Sequence, residues 1–202
     1  MTAHDEPEDD EPGPDDPTYV YKPSLLGAPC QFALRRGGLQ WHMANYSGFI
    51  RYGDIRRMRM SYRPATMQSQ RFVTEIWSSA APKLQIVSAS WRSFMEQERL
   101  DTGYTAFVTE LHRRLAAAGS AAQFTTGMPL VSYWIGVLVF GAAMLALVGL
   151  TVRALQLGEW AAAALIVGFV VVFAFQIGNY FRRNRPGSYR PEAVPASVLP
   201  RS

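Results

Sequence analysis

Cysteine, histidine and catalytic motifs are scarce in this 202-residue chain, and their scarcity excludes several classes of function. With Cys30 alone, the chain has no internal disulfide and no cysteine-based metal site, which suits a cytoplasmic domain. The three histidines, His4, His42 and His112, have no second ligand at a metal-binding spacing. A phosphate-binding glycine loop, a serine elbow and paired catalytic carboxylates are also missing. We therefore expect no enzyme activity, no cofactor and no metal.

Charge is absent from two long stretches near the C-terminal end. Residues 130–152 and 160–181 are runs of 23 and 22 residues without Asp, Glu, Lys, Arg or His. As helices they reach about 33–35 Å, enough to cross a hydrocarbon core of about 30 Å. Residues 153–159 are too few to join them except as a short loop. The sequence therefore predicts an antiparallel two-helix transmembrane hairpin.

Basic residues flank the outer ends of this hairpin rather than its loop. The loop has one Arg and one Glu, whereas several arginines precede and follow the spans: Arg113, Arg114, Arg182, Arg183, Arg185 and Arg190. The positive-inside rule then places both termini in the cytoplasm and the loop 153–159 outside it. The acidic N-terminus does not resemble a signal peptide.

Charge is also segregated along the chain. Residues 1–19 hold eight acids and no Lys or Arg, whereas residues 20–122 hold fourteen bases and six acids. The first segment lacks the apolar residues needed for a core, and we expect it to be a disordered tail. It is either a solvated tail or a segment that folds over the basic domain and competes for its arginines.

Hydrophobic periodicity predicts an α+β domain over residues 20–119. Alternating residues indicate five to seven short antiparallel strands, beginning around Phe32 and Leu34. Apolar residues three or four apart between 102 and 118 then indicate one amphipathic helix. Residues 120–129 are expected to be a linker. The basic, proline-rich tail 182–202 is expected to lie extended, on the membrane surface or along the soluble domain.

Arginines in the strand region form the candidate binding surface. In the longest strand, Arg57 and Arg59 share one face, opposite Met58 and Met60. Anionic lipid is the nearest partner for a membrane-tethered basic face, and we expect no nucleic acid. A plainly solvated face is the other interpretation. The candidate residues are Arg35, Arg36, Arg56, Arg57, Arg59, Arg63 and Arg71.

Small residues recur at four-residue spacing in both apolar runs, which permits close helix contact. They serve either the packing of the two helices on each other or association of several copies. The candidate packing residues are Ala142, Ala146, Ala164, Gly168, Ala174 and Gly178.

The segment 48–58, GFIRYGDIRRM, resembles the strand, turn and next strand of bacterial pleckstrin-homology-like (PH-like) domains, which often sit beside transmembrane helices. The resemblance implies an antiparallel β-sandwich or barrel capped by one C-terminal helix, in a protein of the bacterial inner membrane. It also implies a non-enzymatic interaction domain that binds a protein partner or anionic lipid headgroups. Only Arg35 and Arg36 match the basic pattern of lipid-binding members. The alternative is an accessory subunit of a membrane complex, or a homo-oligomer, associating through its helices.

Overall fold

The structure is a computed structural model that describes residues 16–24, 27–63, 71–91 and 97–200. It has a mixed α+β architecture, as predicted, divided into two compact units. The first unit contains the chain up to Thr126 together with the chain from Gly187 onward, and the second is Gly127–Pro186. Residues 1–15 of the predicted acidic tail lie outside the described ranges.

The first sheet is a four-stranded antiparallel meander. Its strands, in spatial order, are β1 (Thr18–Tyr21), β2 (Cys30–Leu34), β3 (Gly38–Met43) and β4 (Tyr46–Arg51). Phe32 and Leu34 are fully buried, as the sequence pattern predicts, but Ala33 between them is buried as well, so the alternation stops after Gln31. Gly38 is required at the β2–β3 turn because a Cβ there would collide with the backbone carbonyl of Ile50.

β1 corrects the boundary expected for the tail. The strand begins at Thr18, inside the segment 1–19, and its Tyr19 and Tyr21 side chains are buried. The Tyr19 hydroxyl donates to the backbone oxygen of Val87, 2.6 Å away, so β1 contributes to the core. In the sequence, the acidic residues that precede these two tyrosines made the segment read as part of the tail rather than as a strand.

The middle of the chain forms three further strands, a short two-stranded ribbon and one helix. The strands are β5 (Ile55–Tyr62), β6 (Phe72–Ser78) and β7 (Leu84–Val87), followed by β8 (Ala89–Trp91) and β9 (Gln97–Arg99). Helix α1 (Asp101–Ala117) follows, and it buries the predicted apolar stripe that includes Tyr104 and Leu111. Gly119, at a φ of 62°, follows the end of the helix.

The segment expected to be a linker is part of the second sheet. β10 (Gln123–Thr126) lies parallel to β5 and buries Phe124. The sequence did not reveal this strand because its pairing partner lies more than sixty residues earlier in the chain.

The second unit is an antiparallel helical hairpin, as predicted. Its helices are α2 (Leu130–Gln156) and α3 (Trp160–Arg183), each slightly longer than the charge-free run because the last turn includes arginine. Gly136 faces the Phe181 ring, 3.0 Å from the position of a Cβ, and Tyr133 and Phe140 also contact that ring. Both helices are long and apolar enough to span a membrane.

The C-terminal tail was expected to lie either on the membrane surface or along the soluble domain. After the hairpin the chain returns to the first unit, so the tail lies along that domain. β11 (Gly187–Ser188) pairs with β10, completing the sheet order β11-β10-β5-β6-β7. The His112 Nε2 lies 2.8 Å from the Tyr189 hydroxyl, and Val198 is buried. Burial lowers the pKa of His112, which favours a neutral ring whose Nε2 accepts a hydrogen bond from the Tyr189 hydroxyl. The first unit therefore extends beyond residues 20–119 to include 120–126 and 187–200.

Candidate anion-binding surface

The seven predicted arginines occupy two places in the first unit. Arg35 and Arg36 lie at the turn between β2 and β3, whereas the other five lie on or beside β5 and β6. Because β1 precedes β2, this turn belongs to the second strand pair of the first sheet. No single surface therefore contains all seven arginines.

Two consecutive arginines at the start of β5 are exposed because the strand is irregular there. The register with β6 shifts between Ile55 and Arg57, and this bulge leaves both Arg56 and Arg57 accessible to solvent. Beyond the bulge the alternation resumes, with Met58 and Met60 fully buried and Arg59 on the opposite face, as predicted. This opposite face carries the candidate site.

Glu75 is the centre of the ionic contacts on this face, although its side chain is fully buried. It is the register partner of Arg59, whose Nε and Nη2 donate to Glu75 Oε2 at 2.8 and 2.6 Å. Arg63 Nη2 and Lys83 Nζ lie 3.1 and 2.5 Å from Glu75 Oε1. Gln85 Nε2 also donates to that oxygen, at 3.1 Å. One carboxylate thus holds three cations in fixed positions.

The pKa of Glu75 reflects two opposing effects. Burial alone raises the pKa because it disfavours the charged form. Hydrogen bonds from Lys83 and Arg59, together with the charge of Arg63, outweigh burial and lower the pKa of Glu75 to about 2. The carboxylate is therefore ionised at neutral pH.

Trp77 provides an aromatic platform beside this carboxylate. The Arg57 and Arg59 guanidinium carbons and the Lys83 ammonium each lie 5.1 Å from the centre of its ring. Such cation–π contacts contribute about 0.5–1 kcal/mol each at exposed sites and orient the cations. Neither Glu75 nor Trp77 was singled out from the sequence. Each lies directly opposite an arginine of β5, and this pairing could have identified both residues. The pairing can be recognised only when the register between β5 and β6 is known.

Arg57, Arg59, Arg63 and Lys83 contact Trp77 or Glu75, and Arg56 is exposed next to Arg57 at the bulge. We call these five cations, with Trp77 and Glu75, the β5–β6 basic face. Five cations accompany one carboxylate, so the face keeps a surplus of positive charge. Within the described part of the chain, no carboxylate contacts Arg56 or Arg57. These two exposed guanidinium groups are the ones free to meet an anionic ligand.

Arg71 differs from the other predicted arginines. Its side chain is half-buried, and burial lowers its pKa, as does the charge of Arg63. In the part of the chain that is described, its Nε has no hydrogen-bond partner. We therefore do not assign Arg71 to the exposed face.

The six small residues of the hairpin do not lie in the contact between α2 and α3. All six are exposed, and nothing lies within 4 Å of a Cβ built on Gly168 or Gly178. The helices instead meet at Gly136 and Phe181, a small residue opposite a large one, which four-residue spacing does not reveal.

Among the described residues, no group of His, Cys, Asp and Glu is arranged to hold a metal ion. Comparison of the chain with protein-family models, with curated proteins and with solved structures gave no significant match.

Proposed function

We propose that this chain is a non-enzymatic membrane protein whose first unit binds an anionic surface through the β5–β6 basic face. Anionic lipid headgroups are the favoured ligand, and an acidic protein partner is the other. The observation that carries the proposal is the excess of fixed and exposed cations around Trp77.

The exposed apolar surface of the hairpin supports membrane insertion. The most apolar windows of α2 and α3 are 0% and 6% buried, whereas a core helix of a soluble protein buries most of its apolar side chains. The arginines at the end of α3 favour a cytoplasmic position for both termini in an inner, plasma-type membrane. A tethered first unit is then always close to lipid headgroups.

The order of elements in the first unit supports a PH-like fold for it. A four-stranded meander, three further antiparallel strands and a closing helix follow one another in the order that the resemblance implies. The β8–β9 ribbon, β10 and β11 are additions to that plan. Domains of this fold bind lipids or proteins, which agrees with a binding function.

The test uses the full-length chain in nanodiscs of phosphatidylcholine alone or with phosphatidylglycerol added. Hydroxyl-radical oxidation of Trp77, measured by mass spectrometry, reports whether the face is covered. We expect slower oxidation in the anionic discs at low salt and recovery at high salt, because salt screens exposed charges.

Two variants make the test specific. Arg56→Ala/Arg57→Ala should abolish the difference between lipids, since each well-placed arginine contributes about 1 kcal/mol near an anionic leaflet. Arg51→Ala removes an exposed arginine from the other sheet and should leave the difference intact. Equal oxidation of Trp77 in both lipids would overturn the lipid assignment and leave an acidic protein as the ligand.

A second candidate function, assembly within the membrane, is favoured by the exposed small residues of the hairpin. Because the space around Gly168 is open, Ala164→Leu/Gly168→Leu should leave the hairpin folded yet prevent close contact with another helix. Counting copies by single-molecule photobleaching tests this, and an unchanged count excludes association through these residues.

A further inference from the structure

Arg35 and Arg36, at the turn between β2 and β3, belong to another positively charged site. A cavity of 440 Å³ lies between the β2–β3 turn and the C-terminal end of α1. We call it the arginine pocket. Its lining residues are Asp16, Arg36, Tyr52, Arg113, Arg114, Ala117 and Ala118.

Arg114 is held in place mainly by uncharged groups. Its Nη1 donates to the backbone oxygens of Leu34 and Arg35, at 3.0 and 2.9 Å, and its Nε to Glu110 Oε1 at 2.9 Å. The Tyr52 hydroxyl donates to the same Arg35 oxygen. The backbone oxygens orient this guanidinium without adding negative charge, and its carboxylate partners are Glu110 and the more distant Asp16. The side chain is therefore positioned before an anion arrives.

Arg35, beside the pocket, is oriented in a similar way. Its Nε and Nη2 both donate to Gln40 Oε1, at 2.9 and 2.7 Å, and a neutral amide leaves the positive charge intact. Its remaining nitrogen, Nη1, donates to the carboxylate of Asp16. A pair of positioned guanidinium groups is the arrangement that favours acidic ligands.

A carboxylate already lies between these two arginines. Asp16 Oδ2 lies 3.2 Å from Arg35 Nη1, and its Oδ1 lies 3.5 Å from Arg114 Nη1. The positive charge of the site is not exhausted by this contact, because Arg36 and Arg113 are exposed on the cavity wall. Glu110 is shared between Arg113 and Arg114. The site therefore has room and charge for further acids.

The chain that precedes Asp16 has complementary charge. It starts at the pocket, because Asp16 is one of the lining residues, and it holds seven more acids without a single Lys or Arg. We propose that the arginine pocket is a binding site for an acidic polypeptide segment, and that its occupant in the resting protein is the chain's own segment 5–15. An acidic partner protein would have to displace that segment.

The experiment uses the full-length chain in nanodiscs of neutral phosphatidylcholine, where the β5–β6 basic face has no anionic lipid to bind. A neutral-tail variant replaces the eight acids of residues 5–16, each Asp by Asn and each Glu by Gln. The probe is a fluorescent synthetic peptide with the sequence of residues 1–16. Its binding to the protein is measured by fluorescence anisotropy at low and high salt.

We expect the peptide to bind the neutral-tail variant at least about tenfold more tightly than the wild type, because a tethered competitor acts at an effective concentration on the order of millimolar. High salt should abolish the binding. In the neutral-tail background, Arg36→Ala/Arg113→Ala should lose it, while both arginines that contact Asp16 are left in place. Arg99→Ala, at the opposite end of α1, should not.

Equal binding of the peptide to the wild type and the neutral-tail variant would overturn the proposed occupancy by the segment 5–15. Binding that survives Arg36→Ala/Arg113→Ala to the same extent as Arg99→Ala would overturn the assigned site. Both outcomes are independent of the lipid test, since Trp77 oxidation in anionic discs does not involve the arginine pocket.

Discussion

At the scale of single residues, Glu75 connects the stability of the first unit with the surface proposed to bind anions. Three cations converge on this one buried carboxylate, and replacing it leaves them facing each other. Removing one partner of a buried ionic network generally costs about 3–5 kcal/mol. The substitution Glu75→Gln keeps the size of the side chain and removes only the charge.

The pH dependence of unfolding should show the contribution of Glu75. Because the pKa of Glu75 is lowered to about 2 in the folded state, its stabilising effect is complete above the ordinary value of about 4.5. That effect is lost as the pH falls from about 4.5 towards 2. We expect unfolding of the first unit, followed by tryptophan fluorescence, to lose roughly 2–3 kcal/mol over this range.

Glu75→Gln should remove this part of the pH dependence, whereas Glu192→Gln, an exposed acid of the C-terminal segment, should retain it. The same slope in Glu75→Gln as in the wild type would show that other carboxylates govern acid unfolding.

At the scale of elements, the hairpin contains a size match between its helices, in which Gly136 of α2 faces Phe181 of α3. A side chain at Gly136 would need the space of the Phe181 ring, whereas Gly168 faces open space. We expect Gly136→Leu to separate the helices and lower the thermal stability of the hairpin in detergent by several degrees. Gly168→Leu has the same volume and should have little effect. If both variants melted alike, the contact between Gly136 and Phe181 would not be what holds the hairpin together.

The elements also show how far the sequence predicts this structure. Long apolar runs and the stripe on α1 are local patterns, and the hairpin and helix were predicted within a few residues. β10 and β11 are strands of four and two residues whose partners are distant in sequence, so no local period reveals them. The arginines of β5 were predicted to share a face, but the role of Glu75 required the register of β6. The pairing of Asp16 with Arg114 joins residues almost a hundred positions apart, which composition alone does not show.

At the scale of the whole molecule, the first unit is built from both ends of the chain. Thr126 and Gly187 are partners in the β10–β11 ladder, so the sixty residues between them leave and re-enter the unit at one point. Two adjacent strands joined by Asn-Gly form a stable hairpin turn. Replacing residues 127–186 by Asn-Gly should therefore yield a folded, water-soluble first unit.

The matched comparison is a fragment that ends at Thr126 and lacks residues 187–200. It loses the Tyr189 contacts with His112 and Phe124, and it should unfold at lower denaturant concentration than the Asn-Gly variant. Equal stability of the two proteins would mean that the C-terminal segment adds nothing to the fold.

The return of the chain to β10 also imposes an order on biosynthesis. β10 emerges from the ribosome first, but β11 follows only after sixty more residues, which takes about 3–12 s at the usual speed of translation. During that interval Phe124 lacks the cover of Tyr189. Completion of the first unit thus follows synthesis of the hairpin, and a chain that stalls within α2 or α3 leaves an unfinished edge beside β10 for chaperones or proteases to recognise.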